Sequence, residues 1–117
     1  LQRLKSWRAV IDHPFSPFVN LTIEQMKAFG AAGVYLNFTY DELSPLLGVD
    51  PAVMYAAVRA IGVEQVTLST DVGEPLFPHA VEAMRQIRGY MQAFGLTPTE
   101  LERVSRINPA YVVGMPL

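Results

Sequence analysis

The sequence predicts an α/β fold of parallel strands with outer helices. Three observations predict it. Short apolar segments rich in β-branched and aromatic residues recur along the chain. Longer segments with apolar residues at helical spacing lie between them. Thr, Asp, Pro and Gly stand at the joins, where helices start and stop. Strands alternating with helices argue for a parallel sheet with right-handed crossovers.

The elements follow in order. Ala9-Val10-Ile11 forms the first strand and runs into Asp12-His13-Pro14, where proline cannot donate to a sheet ladder and ends it. Thr22 caps the next helix with Gln25 completing a capping box, and Ile23, Met26 and Phe29 form its apolar stripe. Gly30 or Gly33 ends it. The run from Val34 to Tyr40 is the second strand. Asp50-Pro51 is an N-cap with proline at the first helical position; Val53, Ala57, Val58 and Ile61 repeat behind it, and Gly62 closes the helix. Gln65 to Thr70 is the third strand, ending at Asp71-Val72-Gly73. Val81, Met84, Ile87, Met91 and Phe94 then mark a helix whose stripe reads as core packing, ended by Gly95. Thr97-Pro98-Thr99-Glu100 combines a capping box with proline. Asn108-Pro109 repeats the cap-plus-proline device before a short final helix from Ala110 to Val113.

Composition narrows the function classes. A chain of 117 residues suits one domain or part of one, and its 50% hydrophobic content supplies a core. The net charge of −2, without a basic cluster, argues against nucleic acid as a partner, because phosphate neutralisation needs grouped Lys and Arg. The absence of cysteine excludes disulfides, thiolate metal ligation and a cysteine nucleophile, and is compatible with a cytoplasmic protein. No apolar run approaches the ~18 residues of a membrane span. The basic stretch Leu1 to Arg8 contains Trp7 but no following apolar region, so no signal peptide is expected there; a first residue other than Met suggests a truncated or processed chain.

Candidate chemistry gathers at the strand ends. Asp12-His13 and Asp71 lie just past the C-terminal ends of strands, the end where parallel α/β folds bind ligands. A (β/α)₈ barrel devotes ~31 residues to each βα unit. His13 and Asp71 are 58 positions apart, close to two units, which places them on alternate strands. Two strand spacings of ~4.8 Å then separate their backbones, and both side chains can reach one ion.

These motifs resemble a known family. Ala9 to Pro14, Leu68 to Gly73 and Ile107 to Gly114, in this order and spacing, are similar to the closing third of amidohydrolase-superfamily barrels, and most to a branch described as metal-dependent hydrolase-like. The resemblance spans nearly the whole chain. It implies that residues 1–117 are the C-terminal three βα units of a (β/α)₈ TIM barrel, with no separate second domain. It implies that His13 ends the sixth strand as a metal ligand. Asp71 would end the eighth as ligand and general base toward a water on a divalent ion, expected to be zinc. The implied reaction is hydrolysis of an amide, ester or related bond in a small-molecule substrate. The family's first-strand His-x-His pair and its fourth- and fifth-strand ligands have no counterpart in the chain. By itself it is therefore expected to be inactive and to bind metal weakly.

Plainer roles stand beside these. A strand-end histidine can simply bond a neighbouring carbonyl, and aspartate commonly caps a turn. Asp12 reads as a surface group or one that orients an imidazole. Asn37 and Tyr40 lie near the end of the middle strand, where pocket lining and strand packing explain them equally. Glu74 follows Asp71 in a loop and can contact substrate or remain solvated. His79, after Pro78, either faces substrate or starts a helix at the surface.

Two other functions remain open at this stage. A nonoxidative decarboxylase of the same superfamily shares the strand-end residues. A non-catalytic binding or assembly module would complete its sheet with another chain. In either case an open three-strand sheet has two unpaired edges. Val10, Leu36, Phe38, Val66 and Leu68 are candidates for the face that meets further strands, with alternation deciding which. The expected partners are a substrate and either further copies of the chain or the remainder of a barrel.

Overall fold

The structure is a computed structural model that describes residues 8–117. Trp7 and most of the basic N-terminal stretch lie outside the described residues. The chain is mixed α/β. The elements are β1 (Val10–Asp12), α1 (Ile23–Ala31), β2 (Tyr35–Thr39), α2 (Tyr40–Leu43), α3 (Pro51–Ile61), β3 (Val66–Ser69), α4 (Ala80–Phe94), α5 (Pro98–Glu102) and α6 (Asn108–Val113). A 3₁₀ turn at Val63–Gln65 precedes β3, and a π-helical turn at Arg103–Ile107 joins α5 to α6.

The strands pair in parallel in the order β1-β2-β3. Register places Ile11 beside Leu36 and Leu36 beside Val66, with Phe38 beside Leu68. Leu36, Phe38, Val66 and Leu68 are buried in one core with Met26 of α1, Met54 and Val58 of α3, and Ile87 and Met91 of α4. These four apolar residues therefore point at the helical layer and not toward further strands. Only Val10, which pairs with Tyr35, shares the opposite face. That face is polar, carrying Asn37, Thr39, Thr67 and Ser69, because strand side chains alternate.

Helical punctuation is largely as the sequence indicates. The Thr22–Gln25 and Thr97–Glu100 capping boxes both form, and Asp50 caps α3 through the Ala52 amide. Gly62 and Gly95 close their helices at φ 96° and 134°. Of the two terminators expected for α1, Gly33 follows its C-cap at φ 91°, whereas Gly30 has a different role. It lies inside α1, where an added Cβ would stand 2.9 Å from the Ile61 Cγ2, so it is needed for close approach of α1 to α3. In the α4 stripe, Ile87 and Met91 are buried as expected, but Val81 and Phe94 are largely exposed and Ala83 takes the inner position.

The end of the chain departs from expectation. Asn108 does not cap a new helix, and the helical path continues from α5 into α6. Pro109 lacks an N–H and would clash with the carbonyl four residues back in a regular helix. The π turn relieves this, with the Asn108 amide bonding Arg103 O. The buried Asn108 side chain donates instead to Val63 O at 2.7 Å and Val66 O at 2.8 Å, strapping the start of β3. Nor do all helices lie on one side. Pro109, Val112 and Val113 of α6 line a small cavity with Val10, Asp12, Asn37 and Thr67 on the polar face, and the Tyr111 and Tyr35 rings meet at 6.0 Å. Among the described residues no helix is long and apolar enough to cross a membrane.

Candidate metal centre

Parallel pairing brings the three strand C-termini to one end of the sheet. His13 follows β1 and Asp71 follows β3, on either side of β2. Both have left-handed backbone, φ 53° and 48°, a conformation costly for residues with a Cβ. His13 Nε2 stands 2.9 Å from Asp71 Oδ2, with the two side chains 28% and 57% exposed.

Asp41 completes the group, which sequence reasoning missed. One ligand atom each of His13, Asp41 and Asp71 lie within 4.8 Å of one another. Three ligands of one tetrahedral zinc at 2.0–2.2 Å stand roughly 3.3–3.6 Å apart, so to seat an ion the 2.9 Å His13–Asp71 contact would open by roughly 0.5 Å and separations of up to 4.8 Å would close by about 1 Å. One imidazole and two carboxylates match the three protein ligands that catalytic zinc sites use. Burial raises the Asp41 carboxyl above its ordinary range; Asp71 and Glu74 add to this, while His13 opposes it.

Asp41 was hidden because Tyr40 reads as the end of a strand. The available signal was Thr39-Tyr40-Asp41-Glu42, a capping box directly after an apolar strand. Thr39 Oγ1 accepts from the Glu42 amide, and Glu42 Oε1 accepts from the Thr39 amide at 3.0 Å. The chain therefore turns helical at Tyr40, and Asp41 lies in the first turn beside the strand end.

Glu42 is fully buried, a rare state for a carboxylate. Its Oε2 accepts from the Phe15 amide at 2.8 Å, tying the loop after His13 to the start of α2. Burial pushes its carboxyl up, against the lowering effect of these amide bonds and of His13. The other ring nitrogen of His13, Nδ1, lies 3.1 Å from Thr39 Oγ1.

A cleft of about 1060 Å³ opens from the cluster, lined by Asp41 and Asp71 at one end and by Glu74, Pro45, Leu46, Val72 and Phe77. Tyr40 packs edge-on against Phe77 at 6.5 Å. The other expected residues are placed variously. Glu74 lines the cleft. The Asn37 side chain donates to Asp12 Oδ1 and Ser69 Oγ and accepts from Thr67 Oγ1, a closed network on the polar face. Asp12 thus bonds Asn37 rather than an imidazole. His79 stands apart as the N-cap of α4, its ring accepting from the Val81 amide at 3.4 Å.

Compared with protein-family models, with curated proteins and with solved structures, the chain finds no match.

Proposed function

We propose that the chain is the closing third of an amidohydrolase-type barrel and contributes His13, Asp41 and Asp71 to a divalent metal centre that hydrolyses an amide, ester or related bond. The observation that carries this reading is the convergence of His13 and Asp71 at 2.9 Å from the ends of alternate parallel strands. Zinc fits the donor set and, when bound, makes a nucleophile of water near neutral pH. His13, Asp41 and Asp71 would hold the ion, and Asp71 would also serve as the base that takes a proton from water and returns it to the leaving group. The remaining strands of the barrel would pair with the outer edges of β1 and β3.

Calorimetric titration of the chain with zinc tests the reading, since Asp41 adds a third ligand to the two the sequence offered. One equivalent should bind, and His13→Ala, Asp41→Asn or Asp71→Asn should each weaken binding at least about tenfold. Absence of zinc binding, or unchanged affinity in all three variants, overturns it.

A further inference from the structure

The buried Glu42 takes no part in holding the ion, yet it sits one residue from Asp41 and one hydrogen-bonded group from His13. Thr39 is that group. Its hydroxyl is nearly inaccessible, and three partners surround it: the Glu42 amide at 3.3 Å, His13 Nδ1 at 3.1 Å and Glu42 Oε1 at 3.5 Å. A hydroxyl has one proton and two acceptor sites. The Glu42 amide always occupies one acceptor site. The proton can then point at either His13 Nδ1 or Glu42 Oε1, but not at both.

We propose that Thr39 and Glu42 form a positioning relay that keeps His13 Nε2 turned to the metal whichever ring nitrogen carries the proton. This rests on the metal-centre reading above. In the relay, the ion-free ring would carry its proton on Nε2, 2.9 Å from Asp71 Oδ2, and accept at Nδ1 from Thr39, 3.1 Å away. Were Nε2 to serve the metal, Nδ1 would carry the proton and donate to Thr39, whose own proton would turn to Glu42 Oε1. One proton leaves Nε2 for water and one reaches Nδ1 from water, so the ring charge is unchanged. Glu42 anchors both ends of the switch. It is fixed by the Phe15 and Thr39 amides, so the acceptor awaiting the hydroxyl cannot move away. Such outer partners commonly set imidazole orientation around metals.

Long-range ¹H–¹⁵N NMR of the histidine rings tests the relay. The chain has two histidines, and His79→Gln assigns them. The free protein should show His13 with Nε2–H, and the zinc-loaded protein should show Nδ1–H. Thr39→Val should weaken zinc binding roughly 10- to 100-fold, while Thr39→Ser, which keeps the hydroxyl, stays within about threefold of the parent. A zinc-bound ring that retains Nε2–H, or Thr39→Val binding zinc as the parent does, overturns the relay. If Thr39→Val does not fold, the tautomers of the parent protein still decide. If the parent takes no zinc, the metal reading fails separately, and the free ring judges the relay: Nδ1–H there overturns it.

Discussion

His13 Nε2 lies 2.9 Å from Asp71 Oδ2, although the residues are 58 positions apart and each occupies left-handed backbone. They are two of the three non-glycine residues with positive φ among the described residues, the third being Asn20. Asp71→Asn keeps the shape of the side chain but removes the proposed base and weakens the proposed ligand. On the proposed function, turnover of a zinc-loaded complete barrel should fall by about 10²-fold or more. Unfolding free energy should change by no more than about 1 kcal/mol, as the side chain is exposed. Hydrolysis rates set beside urea unfolding curves check this; turnover near the parent's would contradict the assigned base.

Asp71→Gly separates strain from function. Glycine adopts φ 48° without the steric cost of about 1 kcal/mol that a Cβ carries. The variant should be at least as stable as the parent while losing zinc. Urea midpoints with constant m-values provide the measurement. A loss of stability beyond about 1 kcal/mol would show that the exposed His13–Asp71 pair holds the fold together more than such pairs usually do.

Asn108 offers a structural prediction. Its amide satisfies two carbonyls at the start of β3 from a buried position. Asn108→Ala should cost about 2 kcal/mol, by removing both donors and leaving a void. Asn108→Asp should cost more, because it presses a carboxylate against two carbonyl oxygens. Chemical denaturation ranks the two. Equal costs would show that the side chain fills space without strapping the strand.

The Arg59–Glu100 pair, which ties α3 to α5, predicts a dependence on pH. Hydrogen bonds from Arg59, reinforced by the Thr97 amide, lower the Glu100 carboxyl from 4.5 to about 2. A carboxyl lowered in the folded state contributes stability that is complete above its unfolded value and lost as pH falls through its folded one. The Tm difference between the parent and Glu100→Gln should therefore hold from pH 7 to near 4.5 and close as pH approaches about 2. A gap that persists unchanged at pH 2 would assign the effect to packing.

Short-range chemistry was legible in the sequence. Thr22 with Gln25, Asp50 before Pro51, and Thr97 with Glu100 act over a few bonds, so their capping follows from the residues alone. Alternation of strand and helix, with the 58-residue spacing, placed His13 and Asp71 at one end of a parallel sheet. Tertiary structure decided what depends on distant groups. Leu36 and Phe38 face the helices because three helical stripes bury them there, a choice that alternation leaves open. Pro109 continues a helix because the π turn shifts the carbonyl it would meet, and Asn108 finds acceptors at Val63 and Val66, over 40 positions away. Asp41 joins the cluster because Thr39 and Glu42 cap each other and turn the chain at the strand end, which strand-like residues at Phe38 and Tyr40 concealed. The burial of Glu42 follows from the Phe15 amide, a partner 27 positions away that only the folded chain brings within 2.8 Å.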